Sequence, residues 1–214
     1  MSLANGASVP RFDRSFFTSE ERITQIGDGA LGGKARGLLL ARGILRQTEP
    51  PPEFRVTVPR MAVIATDVFD AFMNRNALDA VVASDRPDDR LALAFQRAEL
   101  PVEIVGDLRA LVEAAHTPLA VRSSSLLEDA LYRPFAGVYE TKMIPNNQPD
   151  ADTRFRKLAE AVKLVYASTF FGAARSYRRA TGLESENEKM AVIVQEVVGR
   201  RHGDRFYPDV SGVG

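Results

Sequence analysis

The sequence predicts a mixed α+β domain, and three observations carry that expectation. Apolar runs of strand character recur at residues 56–65 (VTVPRMAVIA), 119–121 (LAV) and 190–198 (MAVIVQEVV). Other stretches place apolar residues at helical spacing, as in Val105, Leu108, Leu111 and Val112, or Phe155, Leu158, Val162, Val165 and Tyr166. The composition is that of an ordinary globular chain, 45% hydrophobic and 26% charged over 214 residues, enough for one large domain or two small ones.

The 28 Lys and Arg balance 28 Asp and Glu, so the formal net charge is zero, which argues against a dedicated nucleic-acid binder. The absence of cysteine excludes disulfide scaffolds, cysteine-ligated metal sites and thiol catalysis, and fits a reducing compartment. No apolar run approaches the roughly 18 residues of a spanning helix. The N-terminal MSLANGASVPRFDRSFF lacks the basic-then-apolar order of a secretion signal. The expectation is a soluble, cytoplasmic protein with no membrane partner. Residues 1–9 read as a tail, disordered or left from cloning, and residues 10–214 as the folded part.

Taken in order, residues 10–26 carry Phe12, Phe16 and Phe17, with Ser19 placed to cap a short helix. The glycine-rich run GDGALGGKARG (27–37) then feeds Leu38, Leu39, Leu40, Ala41, Ile44 and Leu45, spaced for one helix face. A glycine loop at a helix N-terminus is a natural anion cradle, because the first N–H groups are unpaired and the helix dipole favours negative charge. Gly27, Gly29 and Gly32 spell G-x-G-x-x-G, but residues 22–26 look too polar for the buried strand that a dinucleotide fingerprint needs. The P-loop pattern fails at Asp28 and Ala35. What remains is a mobile loop whose Lys34 can reach a phosphate, or simply a helix with an exposed lysine.

Pro50, Pro51 and Pro52 break the chain before residues 56–65, a strand pair or a single buried strand with Pro59 at its entry. Thr66 or Asp67 then caps a helix carrying Val68, Phe69, Phe72 and Met73 inward. Residues 77–98 read as helix and loop. His116 follows an amphipathic helix as a C-terminal cap. Residues 145–152 form a polar linker, and 153–181 one long helical region whose Arg175, Arg178 and Arg179 read as a solvated basic face. Residues 190–198 make a central strand that runs out to a solvent edge at Gln195 and Glu196.

The chain is organised around residues 118–141, PLAVRSSSLLEDALYRPFAGVYET. An apolar strand delivers Arg122, whose guanidinium fork suits a phosphate or carboxylate, followed by the hydroxyls of Ser123, Ser124 and Ser125. A polar loop with Glu128, Asp129, Tyr132 and Arg133 leads through Phe135, Ala136 and Gly137 into a second strand, which completes a hairpin. The alternative is a hairpin whose arginine makes a structural salt bridge.

These segments, in this order, resemble the ATP-binding domain of the phosphoenolpyruvate synthase and pyruvate phosphate dikinase family. The matching pieces are GGKARGL (32–38), the strand after Pro59, VRSS through FAG to Glu140-Thr141, AVIVQ (191–195) and Ser211-Gly212-Val213. Ala35 and Met61 stand where the family usually has glycine. The resemblance implies an ATP-grasp-like fold, with residues 10–117 as a first subdomain and 118–214 as phosphate-contacting and adenine-pocket strands. It also implies that the chain stops before its second half is complete.

By the same likeness Gly32, Gly33, Lys34, Arg122, Ser123, Ser124 and Thr141 lie at the ATP phosphates, with Lys34 and Arg122 the catalytic pair. Gln195, Glu196 and Val198 lie by the adenine. The cofactors implied are ATP and Mg2+, the metal ligands falling beyond Gly214. The partners implied are a phosphohistidine domain and an acceptor domain; neither His116 nor His202 stands in the phosphohistidine motif. The fragment alone is not expected to turn over. The module also resembles antibiotic-phosphorylating enzymes and starch dikinases, and a non-catalytic binding module is the reading from another class.

Overall fold

Five short segments far apart in the sequence meet in one mixed sheet: β1 (Ile23–Ile26), β2 (Met61–Ile64), β3 (Leu119–Ser125), β4 (Thr141–Ile144) and β5 (Met190–Glu196). Their order is β1-β2-β5-β3-β4, with β1 and β2 parallel and every other neighbour antiparallel. The computed structural model describes residues 9–48, 53, 55–84, 86–126, 137–182 and 188–212. Strands from both sides of residue 117 share this sheet, and the domain is α+β as expected. Residues 1–8, the three prolines at 50–52, residues 127–136 of the hairpin connection, and Val213 lie outside the described residues.

Alternation along each strand divides the sheet into two faces. Ala62, Ile64, Leu119, Val121, Ile144, Met190, Val192 and Val194 point to one core, where α2 (Thr66–Arg75), α4 (Asp88–Arg97), α5 (Val102–Ala114) and α6 (Ala151–Ser168) pack. Phe72, Phe95 and Tyr166 lie at its centre, with ring centroids 5.3–5.9 Å apart. The opposite face buries Ile23, Met61, Val63, Ala191 and Ile193 under a single helix, α1 (Gly32–Gln47), through Ala35, Leu38, Leu39 and Leu45. One helix covers only part of a five-stranded face, and that shortfall defines the site. Among the described residues no helix is long and apolar enough to cross a membrane.

Several local expectations change. Residues 23–26 form a buried strand despite their polarity, because Thr24 Oγ1 donates to the carbonyl of Pro10 and the Gln25 backbone pairs with the 10–12 segment. The short helix near the N-terminus is a 3₁₀ turn at Arg14–Phe17 capped by Asp13 rather than Ser19. The N-cap of α2 is Ala65, which leaves Thr66 and Asp67 for another task. The 153–181 region is two helices, α6 and α7 (Gly172–Thr181), with α3 (Leu78–Val82) adding a short turn between α2 and α4. The hairpin β6 (Arg200–His202) and β7 (Arg205–Tyr207) follows the sheet, while Ser211 and Gly212 lie in irregular chain.

Candidate functional site

The glycine run does not form a mobile cradle. The Asp67 carboxylate at the start of α2 accepts the N–H groups of Asp28 (2.8 Å) and Gly29 (2.9 Å), and Thr66 Oγ1 accepts that of Ala30 (3.0 Å). Three amides that the sequence offered to an anion are therefore taken by the protein itself. The dinucleotide pattern fails for this reason, although a buried strand does precede it. Glycine is needed here because a Cβ on Gly29 would sit 2.5 Å from the Asp67 nitrogen. Replacing Asp67 with alanine removes two solvent-exposed hydrogen bonds whose amides water can take over, and we expect a loss of about 1 kcal/mol in chemical denaturation.

The first turn of α1 is fastened to β3. Its N-cap, Leu31, offers no side-chain cap, and Ser124 of β3 supplies one: Ser124 Oγ accepts from the Ala35 N–H (3.1 Å) and donates to the Leu31 carbonyl (2.8 Å). Ser124 is fully buried, so its hydroxyl serves the helix, in place of the phosphate contact expected of it. Gly32 and Gly33 are the buried opening residues of α1. Lys34 Nζ donates to Ser123 Oγ at 3.1 Å, which brings the lysine to the strand that carries the arginine.

Arg122 is in the interior of β3 and faces out of the sheet, not past its edge, because Ser123–Ser125 continue the ladder with β5. Register places Ile193, Arg122 and Thr141 in one row across the sheet, and Gln195, Ala120 and Met143 in the next. All lie on the face that α1 covers only in part, with Arg122 and Gln195 half-buried and Thr141 exposed. Arg122 Nη1 donates to Gln195 Oε1 at 3.2 Å. Beyond these rows a cleft of about 520 Å³ opens between the sheet and the β6–β7 hairpin, lined by His116, Pro118, Met143, Val197, Arg201 and Phe206 among others. His116 is a rim residue, two positions past the end of α5.

Two adenine-end expectations land differently. Glu196 pairs with Leu119 on the opposite face, and its carboxylate accepts from Thr117 Oγ1 (3.2 Å), which turns it away from the open platform. Val198 lies beyond the end of β5 and is 63% exposed. The structure thus sets Arg122, Thr141 and Gln195 on one face. It brings Lys34 to Ser123, whose place opposite Val192 turns it to the other face. The Ser124 hydroxyl is taken by α1, and the Glu196 side chain lies away from the platform. Among the described residues no three His, Cys, Asp or Glu side chains converge as a metal site.

Sequence reasoning missed a buried polar cluster behind β3. Glu188, almost wholly buried, accepts from Ser125 Oγ, from the Tyr139 hydroxyl and from Arg178 Nη1, the last at 3.0 Å. Arg178 also donates to the Thr169 carbonyl at 2.8 Å, so it is not part of a solvated basic face. Burial first, and then the Glu188 charge, push the Tyr139 hydroxyl far above the usual phenol range, which keeps it a proton donor. The partners come from four separate segments, and no spacing in the sequence announces them.

Comparison with known proteins gives the following. The family described as pyruvate phosphate dikinase, AMP/ATP-binding domain, matches residues 29–214. Phosphoenolpyruvate synthase of Aeropyrum pernix is 29% identical over 186 residues, covering 80% of this chain and 21% of that protein. Rifampicin phosphotransferase of Streptomyces sviceus is 28% identical over 173 residues, covering 74% of this chain and 18% of that protein. The chain spans about a fifth of the length of these curated relatives.

Proposed function

Because the chain belongs to the family of pyruvate phosphate dikinase AMP/ATP-binding domains, we propose that it is the ATP-binding part of a dikinase-type phosphotransferase and that the open sheet face is its nucleotide platform. The observation that carries this reading is the shared sheet face of Arg122, Thr141 and Gln195, joined through Ser123 to the lysine-bearing start of α1 and adjoining the cleft at Met143. Phosphoryl transfer is mostly positioning and charge neutralisation. Lys34 and Arg122 supply two cations for the phosphates, Thr141 a hydroxyl donor, and Gln195 an amide toward the base. The apolar part of the cleft, at Met143 and Val197, is suited to the flat face of adenine.

In this proposal the fold is ATP-grasp-like, and a further part of the protein covers the open face and brings the Mg2+ ligands. The phosphoryl group passes to a histidine on another domain and then to pyruvate or another acceptor, in the cytoplasm. The two relatives differ in name by their acceptor, phosphoenolpyruvate synthase against rifampicin phosphotransferase, and both match this same region. We therefore assign acceptor choice to the rest of the protein.

Titration calorimetry of Mg·ATP into the full-length protein tests the reading. Wild type is expected to bind, and Lys34→Ala to bind at least tenfold more weakly, about 1.4 kcal/mol, at an unchanged melting temperature. A wild type that takes up no ATP would sink the proposal and turn attention to a non-catalytic module.

A further inference from the structure

The β3–β4 ladder has four residue pairs and ends at Arg122↔Thr141, the two residues proposed to meet the phosphates. Past that pair, β3 continues as Ser123–Ser125 in register with β5. On the β4 side the chain arrives through Tyr139 and Glu140, and the Glu140 N–H donates to Ser168 Oγ at 3.1 Å. The Glu188 carboxylate bridges the two strand ends: one oxygen accepts from Ser125, three residues beyond Arg122, and the other from Tyr139, two residues before Thr141.

We propose that Glu188, held by Arg178, is a positioning residue of the nucleotide site, acting through Ser125 and Tyr139 to fix the spacing of Arg122 and Thr141. The inference rests on the ATP-binding reading above. A carboxylate taken out of water is unfavourable unless paired and fully hydrogen-bonded. Here the cation comes from α7 and the two hydroxyls come from the ends of the strands that carry the site. A group serving only the core could be replaced by packed hydrocarbon; this one links the ends of both site-bearing strands. Glu188 faces Ser125, Tyr139 and Arg178 on the buried side of the sheet, so it touches no ligand and works only through geometry.

The test is Mg·ATP affinity and melting temperature of the full-length protein carrying Tyr139→Phe, Glu188→Gln, Glu188→Ala and Thr141→Ala, plus the Tyr139→Phe/Thr141→Ala double variant. Tyr139→Phe keeps the ring and removes only the donor. It is expected to weaken ATP binding about three- to tenfold, the scale of one hydrogen bond, with melting within a few degrees of wild type. Glu188→Gln, which retains an acceptor for one hydroxyl, is expected to recover part of the affinity that Glu188→Ala loses. Because Tyr139 acts through Thr141, the double variant should bind no more weakly than Thr141→Ala alone. Wild-type affinity in Tyr139→Phe, or losses that simply add in the double variant, would overturn the inference while leaving the ATP site standing. Absence of ATP binding by wild type would instead remove the reading beneath it, and the inference with it.

Discussion

Replacing Arg122 with alanine is expected to weaken Mg·ATP binding by the full-length protein about ten- to a hundredfold without unfolding it. The guanidinium rises from the middle of the sheet between β5 and β4, half-buried, on the face that α1 leaves uncovered. Charge-assisted hydrogen bonds from such a fork contribute about 1.5–3 kcal/mol, which is that range of affinity. The folded state loses little, because Gln195, which accepts from its Nη1, is only half-buried and water can replace the bond. Arg122→Lys should recover only part of the affinity, since an ammonium cannot present the planar fork. Calorimetry beside thermal melts decides the matter. Affinity within twofold of wild type in a folded Arg122→Ala protein would exclude the arginine from the site.

The second large effect falls on stability. Gly32 opens α1 at φ +72°, and a Cβ there would lie 1.8 Å from the Ser124 carbonyl oxygen and 2.4 Å from its carbon. Those are backbone atoms of a strand paired on β5, and they cannot turn aside as a side chain could. In Gly32→Ala, either the first helical turn swings off β3, with loss of the Ser124 cap, or β3 leaves its register with Ala191. A left-handed backbone costs an alanine about 1–3 kcal/mol, and forced overpacking adds about 1–3 more. We expect a loss of about 3 kcal/mol or more, read as a fall in the urea midpoint. Gly37→Ala, five residues along the same helix with nothing within 4 Å of the added carbon, should instead gain about 0.5–1 kcal/mol. Equal midpoints for Gly32→Ala and wild type would contradict the packing described.

The contrast between those two glycines shows where the sequence is readable. Period and composition located β2, β3, β5, α2 and α5, because burial there follows from apolar side chains alone. They missed β1, whose Thr24 and Gln25 are satisfied by a segment some fourteen residues earlier. They also read Ser124 as a phosphate donor, Asp67 as a helix cap and Arg178 as part of a solvated basic face. Each is committed to a partner distant in the chain: Ser124 to the α1 start, Asp67 to the 28–29 amides, Arg178 to Glu188. Such roles depend on which strands become neighbours, and local spacing holds no record of that. The proposed roles of Lys34, Arg122, Thr141 and Gln195 come from their order along the chain and the family resemblance. That Arg122, Thr141 and Gln195 share a face became visible only with the register.

The cap that Ser124 lends to α1 has a mechanical consequence. Ser123 and Ser124 follow Arg122 directly, and both touch the helix start, one at Lys34 and the other at Leu31 and Ala35. The lysine-bearing turn and the arginine-bearing strand are therefore fastened to each other by side-chain hydrogen bonds. In the proposed site, the spacing between the two cationic groups acts as a fixed gauge, set before any ligand arrives. A polyphosphate of matching length meets it with little ordering left to do, whereas a single phosphate can engage only one end. Adaptation to different substrates then belongs to whatever closes over the open face, and this half of the pocket serves as the anvil.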